Sequence, residues 1–145
     1  MSRSVNKLTL LIVVTSVTML GLTSCGSGAS AVDKPVNVQV TLTEFKIDSS
    51  ITSFKVGVPY HFVVTNNGSV PHEFSIMAPE SGQLTTEQVQ QMALAWIDQS
   101  NLAAGATATL DYTFTQEYAQ GALELTCHLP GHYEAGMHIP VEVTK

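Results

Sequence analysis

Cysteine, histidine and methionine recur at equal spacing in one short stretch near the C-terminus. Cys127, His132 and Met137 stand in the sequence CHLPGHYEAGM, so that four residues separate each one from the next. A single loop between two strands can fold back and bring three such side chains to one point. A thiolate, an imidazole and a thioether are ligands for a transition metal, and the soft sulfur donors favour copper.

His72 is the candidate for a second imidazole ligand. It lies far upstream in NNGSVPHEF, after a turn signal and a proline. Two imidazoles and a thiolate in one plane, with Met137 as a weak axial ligand, form the donor set of copper sites that transfer electrons. Met137 argues against a zinc site, because zinc is bound by histidine, cysteine and carboxylates. Each of these residues has an ordinary structural explanation when taken singly, so the prediction rests on their joint occurrence.

The other three histidines are not predicted to be ligands of this site. His61 lies within a predicted strand and is expected to be structural. His128 and His138 each follow a predicted ligand, so that in an extended backbone their side chains turn away from the metal. A second metal bound at the surface by either of these two residues stays open.

The N-terminus has the pattern of an export signal. Arg3 and Lys7 precede an apolar run from Leu8 to Leu20, which is short for a membrane-spanning helix. The sequence Leu22-Thr23-Ser24-Cys25 that follows resembles a bacterial lipobox. This resemblance implies a signal peptide over 1–24, cleavage before Cys25 and lipidation of its thiol. An ordinary signal peptide with an incidental cysteine is the alternative.

The domain organisation follows from this signal. Residues 25–35 are rich in glycine, serine and alanine at their start and are predicted to form a flexible tether. Residues 36–145 are then the single folded domain. The chain is expected to be exported and anchored in the membrane by lipid, facing the periplasm or the outer side of the cell membrane.

The two cysteines of the chain support a metal site. If Cys25 carries lipid, Cys127 has no partner, although exported thiols tend to pair or oxidise. Metal ligation explains a lone thiol in such a protein. A Cys25–Cys127 disulfide is the other interpretation.

The charge of the chain is evidence against binding to nucleic acid. The formal net charge is −6, and removal of Arg3 and Lys7 from the 6 basic residues makes the exported part still more acidic. No basic stripe or cluster is present, as nucleic-acid binding requires.

The elements that must position the ligands read mostly as strands. Runs that alternate apolar and polar residues, separated by glycine, proline and asparagine, predict an antiparallel β-sandwich. The runs are Val36 to Leu42, Tyr60 to Thr65, Phe74 to Ile76, Ala108 to Phe114, Ala122 to Leu125 and Val141 to Val143. One segment differs: apolar residues at helical spacing predict an inserted helix around 86–99, with a capping box of Thr85 and Gln88 and with Trp96 on the core edge.

The segment from Val36 to Lys145 resembles the cupredoxin family of type 1 blue-copper proteins. The Cys-x4-His-x4-Met spacing is most similar to that of rusticyanin, and NNGSVPH resembles the first-ligand loop of the family. The resemblance implies a Greek-key β-sandwich of seven or eight strands that holds one type 1 copper ion. It assigns His72, Cys127 and His132 as the equatorial ligands and Met137 as the axial ligand.

One residue departs from the family pattern. Many members have asparagine after the first histidine, where it links the two ligand loops, whereas this chain has Glu73. A carboxylate at this position can alter the rigidity of the loops, lower the reduction potential or face solvent.

The resemblance implies an electron carrier between redox proteins of the cell envelope. Partners are expected to dock near His132, where apolar residues surround the ligand: Leu129, Pro130, Tyr133 and Ala135. Copper handling, meaning buffering, tolerance or delivery, is the alternative role. We expect a monomer. We also expect no enzyme activity, because copper enzymes with this domain need further copper sites and further domains.

Overall fold

The structure, a computed structural model, describes residues 34–145. The predicted signal peptide, the lipidation site Cys25 and most of the predicted tether lie outside the described residues. Within residues 34–145, no helix has the length and apolar character needed to cross a membrane.

Nine strands make up most of the described chain. They are β1 (Val36–Thr43), β2 (Lys46–Ser49), β3 (Ser53–Lys55), β4 (Pro59–Asn66), β5 (Phe74–Met77), β6 (Ala95–Ile97), β7 (Thr107–Thr113), β8 (Tyr118–Thr126) and β9 (His138–Thr144). Helix α1 (Thr86–Met92) and a short 3₁₀ turn (Gln99–Asn101) flank β6. Each of the six predicted runs lies on one of these strands. β2, β3 and β6, which have three or four residues each, were not predicted; runs this short give a weak signal, although β5 is equally short and was found.

The strands form two sheets, which confirms the predicted β-sandwich. One sheet has the order β2-β1-β4-β7 and the other has the order β3-β9-β8-β5-β6. The expectation of purely antiparallel pairing was wrong, because β1 pairs with β4 and β3 pairs with β9 in parallel. Parallel neighbours require a connection that crosses between sheets, and alternation within a strand carries no information about the direction of its neighbour.

Alternating burial along the strands builds the core. In β4 every second residue is buried, from Tyr60 through Phe62 and Val64 to Asn66. β1 supplies Val38, Val40 and Leu42 from the same sheet. Four aromatic rings fill one part of the interior, with Phe54 at 4.9 Å from Tyr60 and 5.0 Å from Phe114 between ring centroids. This period of two is why the sequence pattern identified the sandwich.

The inserted helix is shorter than predicted. The capping box is present, since the Thr85 side chain accepts from Gln88 N–H and the Gln88 side chain accepts from Thr85 N–H. The helix ends at Met92, however, because Leu94 N–H donates to the carbonyl of Ile76 and the chain turns into β6. Trp96 therefore lies in a strand, opposite Ser75 of β5, and is half-buried. Pairing with β5 satisfies the backbone of this segment better than two more helical turns would.

Three strands of one sheet end at the same edge. Thr126 at the end of β8 lies opposite Ser75 near the start of β5 and opposite His138 at the start of β9. The residues immediately beyond this edge are Cys127 after β8, Met137 before β9 and, a little upstream of β5, His72. The register of the sheet therefore brings three of the four predicted ligands to one end of the sandwich.

The aromatic cluster provides a test of the core. Phe54→Ala removes a fully buried ring in contact with three other rings, and we expect a loss of about 3–5 kcal/mol in the free energy of unfolding of the metal-free protein. Phe45→Ala is the matched control, because Phe45 is exposed, and should cost less than about 1 kcal/mol. Urea denaturation followed by fluorescence measures both, and equal losses would contradict this core.

Candidate metal centre

Two loops carry the predicted ligands. The first runs from Asn67 to Glu73 between β4 and β5 and contains His72; the second runs from Cys127 to Met137 between β8 and β9. We call them the first and second ligand loops. His72, Cys127 and Met137 are fully buried, and His132 is half-buried.

The ligand atoms of His72, Cys127 and His132 converge. His72 Nδ1 lies 3.2 Å from His132 Nδ1, and Cys127 Sγ lies 3.4 Å from the same nitrogen. All three ligand atoms lie within 4.8 Å of one another, the only such group of three among residues 34–145. A metal ion with bonds of about 2.0–2.3 Å to nitrogen and sulfur fits between atoms at these separations. The donor set and its spacing therefore fit a copper ion.

Backbone hydrogen bonds close the second ligand loop and hold Met137 beside the cluster. Cys127 N–H donates to the carbonyl of Met137, and Met137 N–H donates to the carbonyl of His132. The loop thus returns to its own start, so that all three of its predicted ligands lie on one short ring of backbone. The Met137 side chain is fully buried, so its thioether is shielded from water and could serve as a further ligand.

Burial sets the protonation of the site in the absence of metal. Desolvation lowers the pKa of His72, which the neighbouring His132 lowers further, and desolvation also lowers the pKa of His132. It raises the pKa of the Cys127 thiol to about 11. The two imidazoles are therefore neutral and ready to ligate, whereas the thiol must lose a proton to do so.

The first ligand loop is held by a buried amide. Asn66 Nδ2 donates to the carbonyls of Val70 and Leu102 at 2.8 Å each, and Asn66 Oδ1 accepts from Gly68 N–H. His72 N–H also donates to the carbonyl of Leu102. The sequence showed a turn at Asn66-Asn67-Gly68, but not that the first of these side chains fastens the loop from inside.

Glu73 joins the two ligand loops. It is 2% exposed, and its Oε1 accepts from His128 N–H at 2.9 Å. The sequence left three roles open for this carboxylate: a change in loop rigidity, a lower reduction potential, or exposure to solvent. Its burial excludes exposure to solvent. Glu73 forms the link between loops that asparagine was expected to form. Burial raises its pKa, while His128 N–H and the nearby indole of Trp96 oppose that shift.

The residue after each ligand of the second loop belongs to a separate column of stacked rings. Tyr133 stacks on His128 at 4.5 Å between centroids and on His138 at 4.4 Å. Buried Glu124 anchors the column, since its carboxylate accepts from Tyr133 O–H and lies 3.0 Å from His138 Nδ1. His128 and His138 are thus outside the ligand cluster, as expected. His128 is buried rather than available to a metal at the surface.

His61 also has a structural partner. It lies on the outer face of β4 directly opposite Asp111 of β7, and the two side chains are joined at 2.6 Å. The pair crosses two strands of the sheet that carries no predicted ligand, which agrees with the structural role expected for His61.

The turn between β1 and β2 contacts the site, which the sequence did not indicate. Phe45 has φ of 60° and is 49% exposed, and its ring meets the ring of His132 edge to face at 5.4 Å. The Glu44 carboxylate accepts from the backbone N–H and the hydroxyl of Ser69 in the first ligand loop. These bonds lower the pKa of Glu44 to about 2. Because β2 was not predicted, nothing in the sequence indicated that this turn exists.

The link through Glu73 predicts a dependence of stability on pH in the metal-free protein. Burial raises the pKa of Glu73 above 4.5 in the folded state, so its contribution to stability is present below that pH and is lost as pH rises through the folded pKa. Glu73→Gln keeps an oxygen for His128 N–H and removes this loss. Relative to the unmodified protein, it should gain stability between about pH 5 and pH 8, by about 1.4 kcal/mol for each unit of the pKa shift.

Glu73→Ala separates the hydrogen bond from the charge. It leaves His128 N–H buried without an acceptor. The variant should therefore be about 1–3 kcal/mol less stable than Glu73→Gln, both at about pH 5 and at about pH 8. Urea denaturation of the three proteins provides the comparison. Parallel pH profiles for the unmodified protein and Glu73→Gln would show that the carboxylate is not buried as described.

Solved structures that share this fold include auracyanin and rusticyanin. Reduced auracyanin of Roseiflexus castenholzii superposes with a TM-score of 0.56 and 16% identity, over 77% of this chain and 98% of that protein. Rusticyanin of Thiobacillus ferrooxidans gives a TM-score of 0.53 and 13% identity, over 76% of this chain and 79% of that protein. At these identities the likeness establishes the fold, and the predicted cupredoxin fold is confirmed.

Relatives with higher identity are named for copper resistance. The copper-resistant cuproprotein CopI of Rubrivivax gelatinosus is 28% identical over 119 residues, 79% of this chain and 70% of that protein. CopI of Vibrio cholerae is 32% identical over 135 residues, 86% of this chain and 75% of that protein. No protein-family model matches the chain. Since a relative of this identity covers most of both proteins, the chain belongs to the family of copper-resistant CopI cuproproteins.

Proposed function

We propose that this protein binds one copper ion at His72, Cys127, His132 and Met137 and passes single electrons through it. The observation that carries the proposal is the convergence of two imidazole nitrogens and one thiol sulfur within 4.8 Å at one end of a cupredoxin sandwich. Copper supplies the one-electron chemistry when it is bound. The protein around the site would hold the copper ligands in place, exclude water from them and leave one edge of the His132 ring accessible at the surface.

The support for electron transfer is that hydrogen bonds within the protein fix the positions of the ligands. The second ligand loop is closed on itself by backbone bonds, the first is fastened by Asn66, and Glu73 joins the two. Cu(I) and Cu(II) prefer different ligand geometries, and a rigid donor set holds both ions in nearly the same one. Little rearrangement then accompanies the movement of an electron.

His132 is the proposed exit for the electron. It is half-buried, unlike His72 and Cys127. Its ring meets the exposed ring of Phe45, and its own loop carries apolar or small residues that are at least partly exposed: Leu129, Pro130 and Ala135. A small apolar contact around one ligand edge suits a redox partner that binds briefly. Tyr133, which the sequence placed on this patch, instead stacks between His128 and His138.

A non-enzymatic role is part of the proposal. Copper oxidases and reductases with this kind of domain use several copper centres. The described domain of residues 34–145 brings together a single group of three ligand atoms. A substrate assay that shows turnover by the copper-loaded protein would overturn this part.

Copper tolerance is the second candidate role, and membership of the CopI family favours it. The relatives carry the name copper-resistant cuproprotein. The same site can serve tolerance by holding copper or by cycling it between oxidation states. A strain that lacks this protein should then grow less well in excess copper, and Cys127→Ser should fail to restore growth while His61→Ala restores it.

Export and lipid anchoring remain our proposal from the sequence. The supporting features are the apolar run from Leu8 to Leu20 and the lipobox-like Leu22-Thr23-Ser24-Cys25. The mass of the N-terminal peptide of the mature protein tests both. A peptide that begins with lipid-modified Cys25 is expected, and an unmodified thiol would overturn the anchor.

The copper site itself has a direct test. Copper(II) added to the purified domain should give an intense thiolate-to-copper absorption in the visible range and narrow copper hyperfine splitting in EPR. Cys127→Ser should abolish the absorption, because the thiolate is its source, without unfolding the domain. His61→Ala is the matched control, since this histidine lies on the outer face of the other sheet. Unchanged absorption in Cys127→Ser would overturn the site.

A carrier and a delivery protein differ in what happens on reduction. We expect the copper-loaded domain to cycle reversibly in voltammetry and to keep its copper in the presence of a Cu(I) chelator, because the ligands are buried and fixed. Loss of most of the copper to the chelator upon reduction would favour delivery over electron transfer. His61→Ala, which changes the outer face of the other sheet, serves as a control for handling of the protein.

A further inference from the structure

The first histidine ligand has one nitrogen without a partner. His72 Nδ1 faces the ligand cluster, and His72 Nε2 is buried and makes no hydrogen bond to any described residue. A metal-bound imidazole usually donates its second N–H to a carboxylate, a carbonyl or a water, which fixes the orientation of the ring. Any partner for His72 must therefore lie on the Nε2 side.

A carboxylate borders the space next to that nitrogen. A methyl group placed on Gly68 would lie 3.0 Å from Glu44 Oε1, 3.1 Å from Asn66 Oδ1 and 3.1 Å from His72 Nε2. All three atoms therefore line the same small space, which is open only because residue 68 has no side chain. Asn66 Oδ1 already accepts from Gly68 N–H and carries no charge, so the Glu44 carboxylate is the stronger acceptor. Gly68 is not among the glycines with positive φ, so its backbone angle does not explain why residue 68 is glycine. The close approach of polar atoms, which leaves no room for a side chain, explains it.

Glu44 is held in this place from the other side. Its carboxylate accepts from the backbone N–H of Ser69 and from the Ser69 hydroxyl at 2.7 Å. Ser69 belongs to the same loop as His72, so the carboxylate is fastened to the loop whose histidine it faces. Both of these bonds fall on Oε1, so the bonds to Ser69 leave the two lone-pair sites of Oε2 for a further donor.

The neighbouring residue shows that the whole turn is fitted to the site. Phe45 is the only residue other than glycine with positive φ in residues 34–145, a conformation that persists where surrounding contacts demand it. Its ring packs against His132. Two consecutive residues of one turn thus meet the two histidines, Glu44 on the side of His72 and Phe45 on the ring of His132.

We propose that Glu44 is a positioning residue for His72. One water in the space beside Gly68 accepts from His72 Nε2–H and donates to the Glu44 carboxylate, and so keeps the Nδ1 lone pair turned to the cluster. A negative acceptor also makes the imidazole a stronger donor, which strengthens its bond to Cu(II) more than to Cu(I). The inference deepens the proposed function, since it takes Nδ1 to be the ligating atom.

The hydrogen bond is tested first in the metal-free protein. Nitrogen-15 NMR of the histidine side chains should show His72 in its Nε2–H form, with a proton protected from exchange with water. Glu44→Ala should lose that protection and give a mixture of the two neutral forms. Glu44→Gln keeps an oxygen acceptor and should be intermediate. Glu117→Ala removes a carboxylate at the far end of β8 from Cys127 and should leave the His72 signals unchanged.

Metal affinity provides the second measurement. In competition with a Cu(II) chelator, Glu44→Ala should bind copper about 10- to 100-fold more weakly than the unmodified protein, the usual effect of removing the partner of a metal-bound histidine. Gly68→Ala should act in the same direction, because its methyl group intrudes between Glu44 and His72. Glu117→Ala should bind as the unmodified protein does.

The outcomes separate this inference from the proposed function. If the unmodified protein gives no intense visible absorption with copper, the proposed function fails, and the NMR of the metal-free protein still decides whether Glu44 holds His72. If the absorption is present but Glu44→Ala keeps both the protected His72 proton and full affinity, Glu44 is not a positioning residue. An affinity that falls equally in Glu117→Ala would reduce the effect to overall charge and overturn the inference.

Discussion

The pairing of β8 with β9 is the constraint on which the site depends. The register places Thr126 opposite His138, so that the loop between these strands must begin with Cys127 and end with Met137 at nearly the same point. Cys127 N–H bonded to the carbonyl of Met137 continues the ladder by one further step. The spacing of four residues between ligands then has a structural meaning, since it is the length of chain that lets His132 reach the same point from the tip. A shift of the register by one residue would turn every side chain of β9 to the other face.

Fastening the two loops to each other requires buried polar groups, and each of these carries a cost. Asn66, Glu73 and Glu124 lie in the interior or at its border, where an unpaired polar atom loses about 1–3 kcal/mol. Asn66 and Glu73 bond to backbone groups of the ligand loops, and Glu124 bonds to the rings behind them. The polar interior is therefore concentrated at the end of the sandwich that holds the ligands, while the aromatic cluster around Phe54 is apolar. The apolar part of the core therefore contributes mainly to stability, and the polar part mainly to the positions of the candidate metal ligands.

The sequence predicted the elements whose signal is local and repeated. Alternation in β1 and β4 revealed the sandwich, and the equal spacing of Cys127, His132 and Met137 revealed the loop. What it could not show was contact between distant segments. Glu44 and Phe45 lie in a two-residue turn with nothing in their own neighbourhood to relate them to His72 or His132. The helix was overestimated because the residues up to Ile97 fit a helical face, whereas hydrogen bonds to β5, far away in sequence, drew residues 95–97 into the sheet.

The contact between the two histidines relates the metal-free state to the loaded one. At 3.2 Å, His72 Nδ1 and His132 Nδ1 can share one hydrogen bond only if one ring carries its proton on Nδ1 and the other carries it on Nε2. In the arrangement proposed for Glu44, the proton of His72 lies on Nε2, and the proton shared between the rings is then carried by His132 Nδ1. His132 is the more exposed of the two and can exchange that proton with water as the metal enters. The buried histidine then keeps its form throughout, and the proton adjustments that loading requires fall on His132 and on the Cys127 thiol. The geometry of the three ligand atoms, all within 4.8 Å of one another, therefore already suits a single metal ion.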